Sequence, residues 1–273
     1  MNNSITLNIA SFHIGLICEN PRLFNAICQR YRLFLIEEEA QFLTQIVWKK
    51  NTNSSTFLIP DLSFHTNQVR LSGRDFSGYC NVMERHAGLE TGVSEPVRAV
   101  DYFLRVVFAM MIFQAEGMMV HGAGILHHGS GYLFFGHSGS GKTTVSRSSV
   151  KDEVLNDDLV ALRPQENNWM MYSTPFWNPT QIKPKPLAAP LAAMYRLVQD
   201  KSVFLESLKP GQALAEIVAN IPIVSANPAQ SGLLMERCIK LLQYVPASRL
   251  HFLPDDSFWR VISVHADEGE EMA

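Results

Sequence analysis

The chain has 273 residues, of which 47% are apolar and 18% charged, and its formal net charge is −3. This composition excludes an intrinsically disordered chain, and the length allows one large globular domain or two smaller ones. The near-neutral charge argues against nonspecific binding to nucleic acid and against a basic protein of the membrane surface.

Cysteine usage and the N-terminus predict a cytoplasmic protein. The four cysteines are scattered, without the density of a disulfide scaffold or the short spacing of a zinc site. The N-terminal sequence MNNSITLNIA has neither the basic start nor the apolar run of a signal peptide. The most apolar stretch, Val106 to Ala115, is shorter than the ~20 residues that cross a bilayer, so we interpret it as part of a buried helix.

Residues 1–93 are predicted to form a strand-rich region that carries no recognisable chemistry. Short β-compatible runs alternate here with Asn, Pro, Ser and Gly. The runs are Ile5–Ile9, Ile14–Cys18, Arg32–Ile36, Thr56–Ile59 and Val69–Leu71. The stretch Glu37–Lys49 fits either a helix or a further strand.

A helix is predicted from Glu95 to Glu116. Ser94 suits the N-cap, Pro96 the first turn and Gly117 the C-terminal stop. Apolar residues recur at three- and four-residue steps, so one face should be buried. Two strands, Met118–Leu126 and Tyr132–Phe135, should follow as a hairpin.

A phosphate-binding motif follows this hairpin. Residues 136–143, Gly-His-Ser-Gly-Ser-Gly-Lys-Thr, match GxxxxGK[ST] between an apolar strand and a predicted helix, Lys142–Val150. Glycines permit a loop whose N–H groups turn inward onto an anion. Lys142 would supply charge to the β- and γ-phosphates, and the Thr143 hydroxyl can bind Mg²⁺.

Two adjacent carboxylates lie near the start of the next apolar segment, Leu155–Leu162, which is predicted to be one strand. Successive residues of a strand point to opposite faces, so Asp157 and Asp158 should play different roles. After a P-loop, such an acidic residue commonly serves the metal or the attacking nucleophile.

Several histidines and a second acidic pair lie near these motifs. His121, on the strand before the P-loop, can be functional or structural. His127, His128 and His137 fall in predicted turns and should be exposed. Asp255-Asp256, within Pro-Asp-Asp-Ser, is typical of a turn. The remaining predicted elements are strands at Met194–Val198, Arg249–Leu253 and Phe258–Ile262 and helices at Pro210–Ala219 and Ser231–Gln243.

The order of the motifs resembles the catalytic domain of the HPr kinase/phosphorylase family, which is related to phosphoenolpyruvate carboxykinase. The residues that carry the resemblance are His121-Gly122, Gly136–Thr144 and Asp157-Asp158. The likeness is close from Val120 to Leu162 and looser up to about Trp259. The chain therefore looks like the divergent HPr-kinase-like proteins of bacteria.

The resemblance implies an α/β fold, with an α+β arrangement around a mixed sheet, in a P-loop catalytic domain over residues 94–264. The smaller strand-rich region, residues 1–93, would precede it. The acidic tail, residues 265–273, is expected to be disordered.

The resemblance also implies a role for each motif residue. ATP would bind the P-loop, Mg²⁺ would bind Thr143 and Asp157, and Asp157 would be the general base that deprotonates an acceptor serine. His121 would sit beside the carboxylates, oriented by Asp158, with Lys142 at the phosphates. The implied nucleotide-binding residues are Gly136, His137, Ser138, Gly139, Ser140, Gly141, Lys142, Thr143 and Thr144.

The chain departs from the family after the double Asp. The family's Glu-Arg-Gly signature has no counterpart in residues 172–181, which read YSTPFWNPTQ. HPr as acceptor, phosphorolysis and a second metal ligand therefore stay open. The segment Ile182–Pro186, which is basic and proline-rich, fits either a lid over substrate or nucleotide or a plain connecting loop.

We expect an ATP- and Mg²⁺-dependent kinase that phosphorylates a hydroxyl of a peptide or small protein, and the resemblance suggests a homo-oligomer. The alternative is an ATP-binding module or scaffold without kinase activity that acts through a partner protein. Carboxykinase-like chemistry on a small carboxylic acid is disfavoured, because the chain is short for it and shows no arginine-rich substrate site.

Overall fold

The structure, a computed structural model, describes residues 3–49, 54–149, 151–177 and 182–270, the last six of these by their backbone alone. It divides into two compact units, Met1–Ala115 and Glu116–Ala273. Helices and two mixed sheets make up a mixed α and β fold. None of the helices in the described ranges has the length and apolar character needed to span a bilayer.

The first unit is built on one eight-stranded sheet and two helices. Its strands are β1 (Asn3–Ile9), β2 (Phe12–Cys18), β3 (Leu35–Ile36), β4 (Phe42–Trp48), β5 (Asp61–His65), β6 (Gln68–Gly73), β7 (Phe76–Asn81) and β8 (His86–Thr91), and its helices are α1 (Pro21–Tyr31) and α2 (Pro96–Gln114). The strand order is β3-β1-β2-β4-β8-β7-β6-β5. The β2–β4 and β4–β8 pairs are parallel, and the other pairs are antiparallel.

The strand-rich character predicted for this region is confirmed, with local differences. The stretch 37–49, which the sequence left undecided, contains strand β4, whereas Thr56–Ile59 is not a strand. Of the predicted strand Arg32–Ile36, only the last two residues pair, and Arg32–Phe34 is a 3₁₀ turn. Helix α1 was not predicted, although the Asn20 side chain caps it by accepting from two backbone N–H groups and Pro21 begins it.

Helix α2 confirms the predicted helix but differs at both ends. Its N-cap is Glu95, and the Ser94 hydroxyl donates instead to the carbonyl of Ser55 at 3.2 Å. The residue in the left-handed conformation after the helix is Glu116, at φ 62°, rather than Gly117. The division between the units falls after this helix, whereas the sequence put the boundary before it, at 93/94.

The second unit carries the predicted phosphate loop on a sheet that is partly closed on itself. Its strands are β9 (Met118–His127), β10 (Ser130–Phe135), β11 (Glu153–Asn156), β12 (Leu159–Gln165), β13 (Asn168–Ser173), β14 (Ala188–Gln199), β15 (Phe204–Ser207) and β16 (Ala247–Phe252). Its helices are α3 (Lys142–Ser148), α4 (Pro210–Val218), α5 (Ser231–Tyr244) and α6 (Phe258–Glu270). The order is β10-β9-β12-β13-β14-β16-β15, and β14 also pairs with β10, which closes a ring of five strands.

Three predicted elements of this unit are corrected. The strand predicted over Leu155–Leu162 is two strands, β11 and β12, separated by Asp157 and Asp158. The strand predicted at Phe258–Ile262 is the start of helix α6, which continues to Glu270 through most of the tail expected to be disordered. Val150, the predicted end of the P-loop helix, and residues 271–273 lie outside the described residues.

An apolar core between the sheet and helices α3 and α6 holds the P-loop region in place. It contains Val145 of α3 and Phe258, Trp259 and Ile262 of α6. The strands contribute Ala123, Ile125, Phe134, Ala193, Tyr195, Leu197, Leu250 and Phe252. Because such close-packed side chains resist displacement, the first turn of α3 is held at a defined position beside the sheet.

Candidate active site

The predicted phosphate loop, residues 136–141, connects β10 to α3. Gly139 and Gly141 have φ angles of 79° and 107°, a conformation that favours glycine. A Cβ atom at Gly141 would also lie 2.4 Å from Cζ of Phe252, so this position excludes any side chain. The side-chain amide of Gln199 donates to the Gly139 carbonyl at 2.7 Å and ties the loop to the end of β14.

Lys142 is folded back onto this loop. Its side chain is buried, and Nζ donates to the carbonyls of Gly136 at 2.8 Å and His137 at 3.1 Å. Burial lowers the pKa of this ammonium, while the negative charge of Asp158 opposes that shift and the positive charge of Arg196 adds to it. A phosphate in the loop would offer the ammonium a charged partner in place of two neutral carbonyls.

Thr143, next to Lys142, approaches the carboxylate of Asp157. Burial raises the pKa of Asp157, and the negative charge of Asp158 raises it further. The nearby backbone N–H of Ile182 and hydroxyl of Thr143 act in the opposite direction and lower this pKa. The structure thus brings together the two residues that the resemblance implied for Mg²⁺, and it gives Asp157 a higher proton affinity than an exposed aspartate has.

Asp158 faces a different set of neighbours from Asp157. Its carboxylate lies 3.5 Å from Nε2 of His121. The side chain of Asp158 is 9% exposed, whereas that of His121 is 40% exposed. The backbones of the two strands are paired here, since Leu159 is opposite His121 and the Gly122 N–H donates to the Asp158 carbonyl at 3.0 Å. The different roles predicted for the two aspartates therefore have a basis in their surroundings.

The reason for this difference is not the one that the sequence suggested. Asp157 and Asp158 do not alternate within a strand but lie in the break between β11 and β12. Both strands pair with β9, with Asn156 opposite Gly124 and Leu159 opposite His121. The break places Asp157 beside Thr143 and brings the charge of Asp158 near Lys142, and Lys142 and Thr143 are consecutive residues of α3.

Two residues near the site were missed by the sequence reasoning. Asn156 is fully buried beside the double Asp and hydrogen-bonded through both ends of its amide. Arg196 is paired with Phe135 across the parallel β10–β14 contact, directly before the loop, and forms an ion pair with Glu216 at 3.1 Å. The signal for Asn156 was its position before the double Asp, whereas Arg196 comes to the loop only through strand pairing.

The other predicted nucleotide-binding residues occupy the loop and the start of α3. His137, Ser138 and Gly139 are exposed, Gly136 and Ser140 are buried, and Thr144 is half-buried. Nδ1 of His137 lies 2.7 Å from the Ser138 carbonyl within the loop itself. The buried Ser140 hydroxyl has no hydrogen-bond partner among the described residues.

Two predictions outside the loop have opposite outcomes. His127 was expected to be exposed, but its side chain is mostly buried. Its ring stacks on that of Trp259 with the centroids 3.9 Å apart, and its Nδ1 lies 2.6 Å from the Asp152 carboxylate. Asp255 confirms the turn interpretation of the second acidic pair, because it accepts from the backbone N–H and the hydroxyl of Ser257.

A cavity of about 300 Å³ is lined in part by Ile182, whose backbone N–H lies close enough to Asp157 to lower the pKa of that carboxyl. Its basic lining residues are Arg147, Lys183 and Lys185. The basic segment Ile182–Pro186, for which the sequence left open a lid or a plain connecting loop, therefore begins beside Asp157. The family's Glu-Arg-Gly signature has no counterpart in residues 172–181. The last four of these residues, 178–181, lie outside the described part of the chain.

The site is suited to a hard cation that is held together with substrate. In the described residues, no group of three or more His, Cys, Asp or Glu could hold a metal ion. Mg²⁺ does not need such a group, because it usually takes one or two carboxylates together with water and substrate phosphates. The hydroxyl of Thr143 and the carboxylate of Asp157 supply the oxygen ligands that this ion prefers, so the residues fit it.

No protein-family model and no curated protein sequence matches the chain. Among solved structures, it is similar to the Hpr(Ser) kinase/phosphatase from Coxiella burnetii, with 10% sequence identity and a TM-score of 0.33. The similarity covers 57% of this chain and 94% of that protein. At this identity and TM-score the likeness is distant and says nothing about activity.

Proposed function

We propose that this chain is an ATP-dependent phosphotransferase that phosphorylates a hydroxyl group, in the manner of the HPr kinases. The observation that carries the proposal is the placement of the Thr143 hydroxyl beside the buried carboxylate of Asp157. It joins the residue that follows the phosphate-binding lysine to a carboxylate of raised proton affinity. Phosphoryl transfer requires this combination of phosphate binding, charge neutralisation and a nearby base.

The loop and Lys142 would hold the triphosphate. Backbone N–H groups of residues 136–141 and the buried Lys142 ammonium would supply hydrogen bonds and charge to its β- and γ-phosphates. Thr143 and Asp157 would hold Mg²⁺, which neutralises phosphate charge when bound.

Asp157 would accept the proton of the acceptor hydroxyl. The acceptor oxygen forms a bond to the γ-phosphorus, the bond between that phosphorus and the bridging oxygen breaks, and ADP leaves with the electron pair. The proton passes to the Asp157 carboxylate, whose raised pKa brings it closer to the working pH of a general base. His121, held beside Asp158, would orient the acceptor or donate a hydrogen bond to it.

The acceptor is proposed to be a serine of a peptide or small protein, as the resemblance to the HPr kinases implies. We further propose a homo-oligomer in the cytoplasm, with no nucleic-acid or membrane partner. The formal net charge of −3 argues against a nucleic-acid or membrane-surface partner.

The test is ATP turnover by the full chain with Mg²⁺ and a library of serine-containing peptides. Replacing Asp157 by Ala or Lys142 by Ala should abolish phosphoryl transfer. Asp256→Asn, in an exposed turn, and Lys151→Ala, on the surface, are the matched controls and should retain it. Unchanged transfer in both site variants would contradict the assignment.

ATP affinity, measured in parallel, separates the kinase from the alternative of a nucleotide-binding module. Micromolar binding of ATP without transfer to any acceptor would favour a module that acts through a partner protein. Failure to bind ATP at millimolar concentration would contradict both functions.

A further inference from the structure

We infer that Asn156 is a positioning residue that holds both aspartates of the site in place. Its side chain is fully buried, and its oxygen accepts from the backbone N–H of Asp158 at 2.7 Å and of Leu159 at 3.2 Å. Its amide nitrogen donates to the carbonyls of Thr174 at 2.8 Å and Phe176 at 2.9 Å. A single side chain thus connects the break that carries the carboxylates to the segment that follows β13.

The first set of hydrogen bonds shapes the break between β11 and β12. A strand that continued through this region would send Asp157 and Asp158 to opposite faces. The Asn156 oxygen instead binds the two backbone N–H groups at the start of β12, and this turns the chain between the strands. In this arrangement Asp157 lies near Thr143, and the charge of Asp158 acts on Lys142, the preceding residue of α3.

The second set anchors this turn to the rest of the unit. The Thr174 hydroxyl donates to the carbonyl of Leu159 at 2.6 Å and lies 3.2 Å from the Asn156 amide nitrogen. Thr174 and Phe176 are fully buried, so their carbonyls are fixed partners. Because buried hydrogen-bonded networks allow one arrangement and penalise others, the turn has little freedom to move.

Asparagine is the residue type that this position requires. Its amide accepts on one side and donates on the other, which an ionised aspartate cannot do. Aspartate would also add a third negative charge beside Asp157 and Asp158, and leucine would leave the backbone groups around it without their partners.

The catalytic consequence rests on the proposed function. The experiment therefore measures the effect of replacing Asn156 both in the presence and in the absence of turnover. The first measurement is the kinetics of Asn156→Ala against Leu162→Ala, a truncation of a fully buried side chain on β12 away from the site. Both variants should lose thermal stability. In Asn156→Ala, kcat should fall about 100-fold, because a catalytic group misplaced by ~1 Å costs roughly this factor in rate. The KM for ATP should stay within about 3-fold of the wild-type value. In Leu162→Ala, kcat should stay within about 3-fold.

The second measurement is ATP affinity with and without Mg²⁺, which needs no acceptor and no turnover. In the wild-type chain, Mg²⁺ should strengthen ATP binding through Thr143 and Asp157. Asn156→Ala should retain the Mg²⁺-free affinity of the loop but lose most of the gain from Mg²⁺. The conservative variant Asn156→Asp, which keeps the accepting oxygen, should lose the gain as well because the donor bonds are missing.

The outcomes separate the two proposals. No turnover in the wild type, together with a Mg²⁺ gain that Asn156→Ala abolishes, would contradict the kinase assignment and support the positioning role. Turnover in the wild type with equal losses of kcat in Asn156→Ala and Leu162→Ala would overturn the positioning role and leave the kinase assignment intact. A full Mg²⁺ gain in Asn156→Ala, or none in the wild type, would also overturn the positioning role.

Discussion

The imidazole of His121 lies 3.5 Å from the carboxylate of Asp158, and backbone pairing of β9 with β12 brings the two residues together. The carboxylate is nearly buried, whereas the imidazole is 40% exposed and can reach a ligand from solvent. A buried acid that orients a partly exposed histidine is a common arrangement in sites that move protons.

Replacing His121 by Ala should lower phosphoryl transfer about 10- to 100-fold, because an oriented hydrogen-bonding group beside the reacting hydroxyl is lost. ATP affinity should change less than about 2-fold, since the phosphates bind the loop. Steady-state kinetics and direct ATP binding measure the two effects. His128→Ala, in the exposed hairpin turn, is the control. Wild-type transfer in His121→Ala would show that this histidine is only structural.

A charge-conserving change of Lys142 tests whether the loop needs an ammonium in particular. Lys142→Arg keeps the charge but brings a larger, planar guanidinium to a buried site bounded by the carbonyls of Gly136 and His137. We expect turnover to fall about 100-fold, because the loss of one group that stabilises charge in the transition state typically has an effect of this size. The control is Lys151→Arg on the surface, and equal activity of the two variants would argue against a phosphate-binding role.

Gly141 offers a steric test of the loop. Gly141→Ala would combine a strained φ of 107° with a Cβ atom 2.4 Å from Cζ of Phe252. Gly129→Ala, in the β9–β10 hairpin, is the control. It introduces the same kind of backbone strain, at φ 84°, but its Cβ atom would have no neighbouring atom within 4 Å. Gly141→Ala should therefore abolish ATP binding and lower the melting temperature more than Gly129→Ala. Calorimetry and thermal melts measure both, and equal behaviour would contradict the packing of Phe252 under the loop.

The pKa of Asp157 predicts a conflict between stability and activity. Burial raises this pKa, so the folded state favours the protonated carboxyl, and the wild type loses stability as the pH rises through the folded-state pKa. Asp157→Asn should therefore melt higher at pH 7, on the order of 2–4 °C, the shift that ~1 kcal/mol produces in a unit of this size. It should also be inactive.

The gain in stability should depend on pH. Below the ordinary aspartate pKa of 3.8, the wild-type carboxyl is protonated in both the folded and the unfolded state, so the difference from Asp157→Asn should vanish. Thermal melts from pH 3 to pH 8 measure this, with Asp256→Asn in the exposed turn as control. A variant less stable than the wild type at pH 7 would show that the carboxylate contributes more through its hydrogen bonds than its burial costs.

The strand–loop–helix form of residues 130–148 could be predicted from the sequence because it is local. Gly139 and Gly141 adopt left-handed φ angles within a short segment. The apolar run before them forms β10, and the segment after them forms helix α3, as expected. Helix α6 shows the limit of the same reasoning. Its first residues suggested a strand, yet Phe258 and Ile262, one helical turn apart, are both buried in the core.

The sequence by itself determined which chemical groups this protein has and the local form of the loop that holds Lys142 and Thr143. Only the tertiary structure decided how Asp157 and Asp158 face those residues. The break that turns them is held by bonds from Asn156 to Thr174 and Phe176, which no local pattern reports. The reason is physical: backbone conformation at glycines is a short-range property, whereas the pairing of buried polar groups is satisfied across the folded chain.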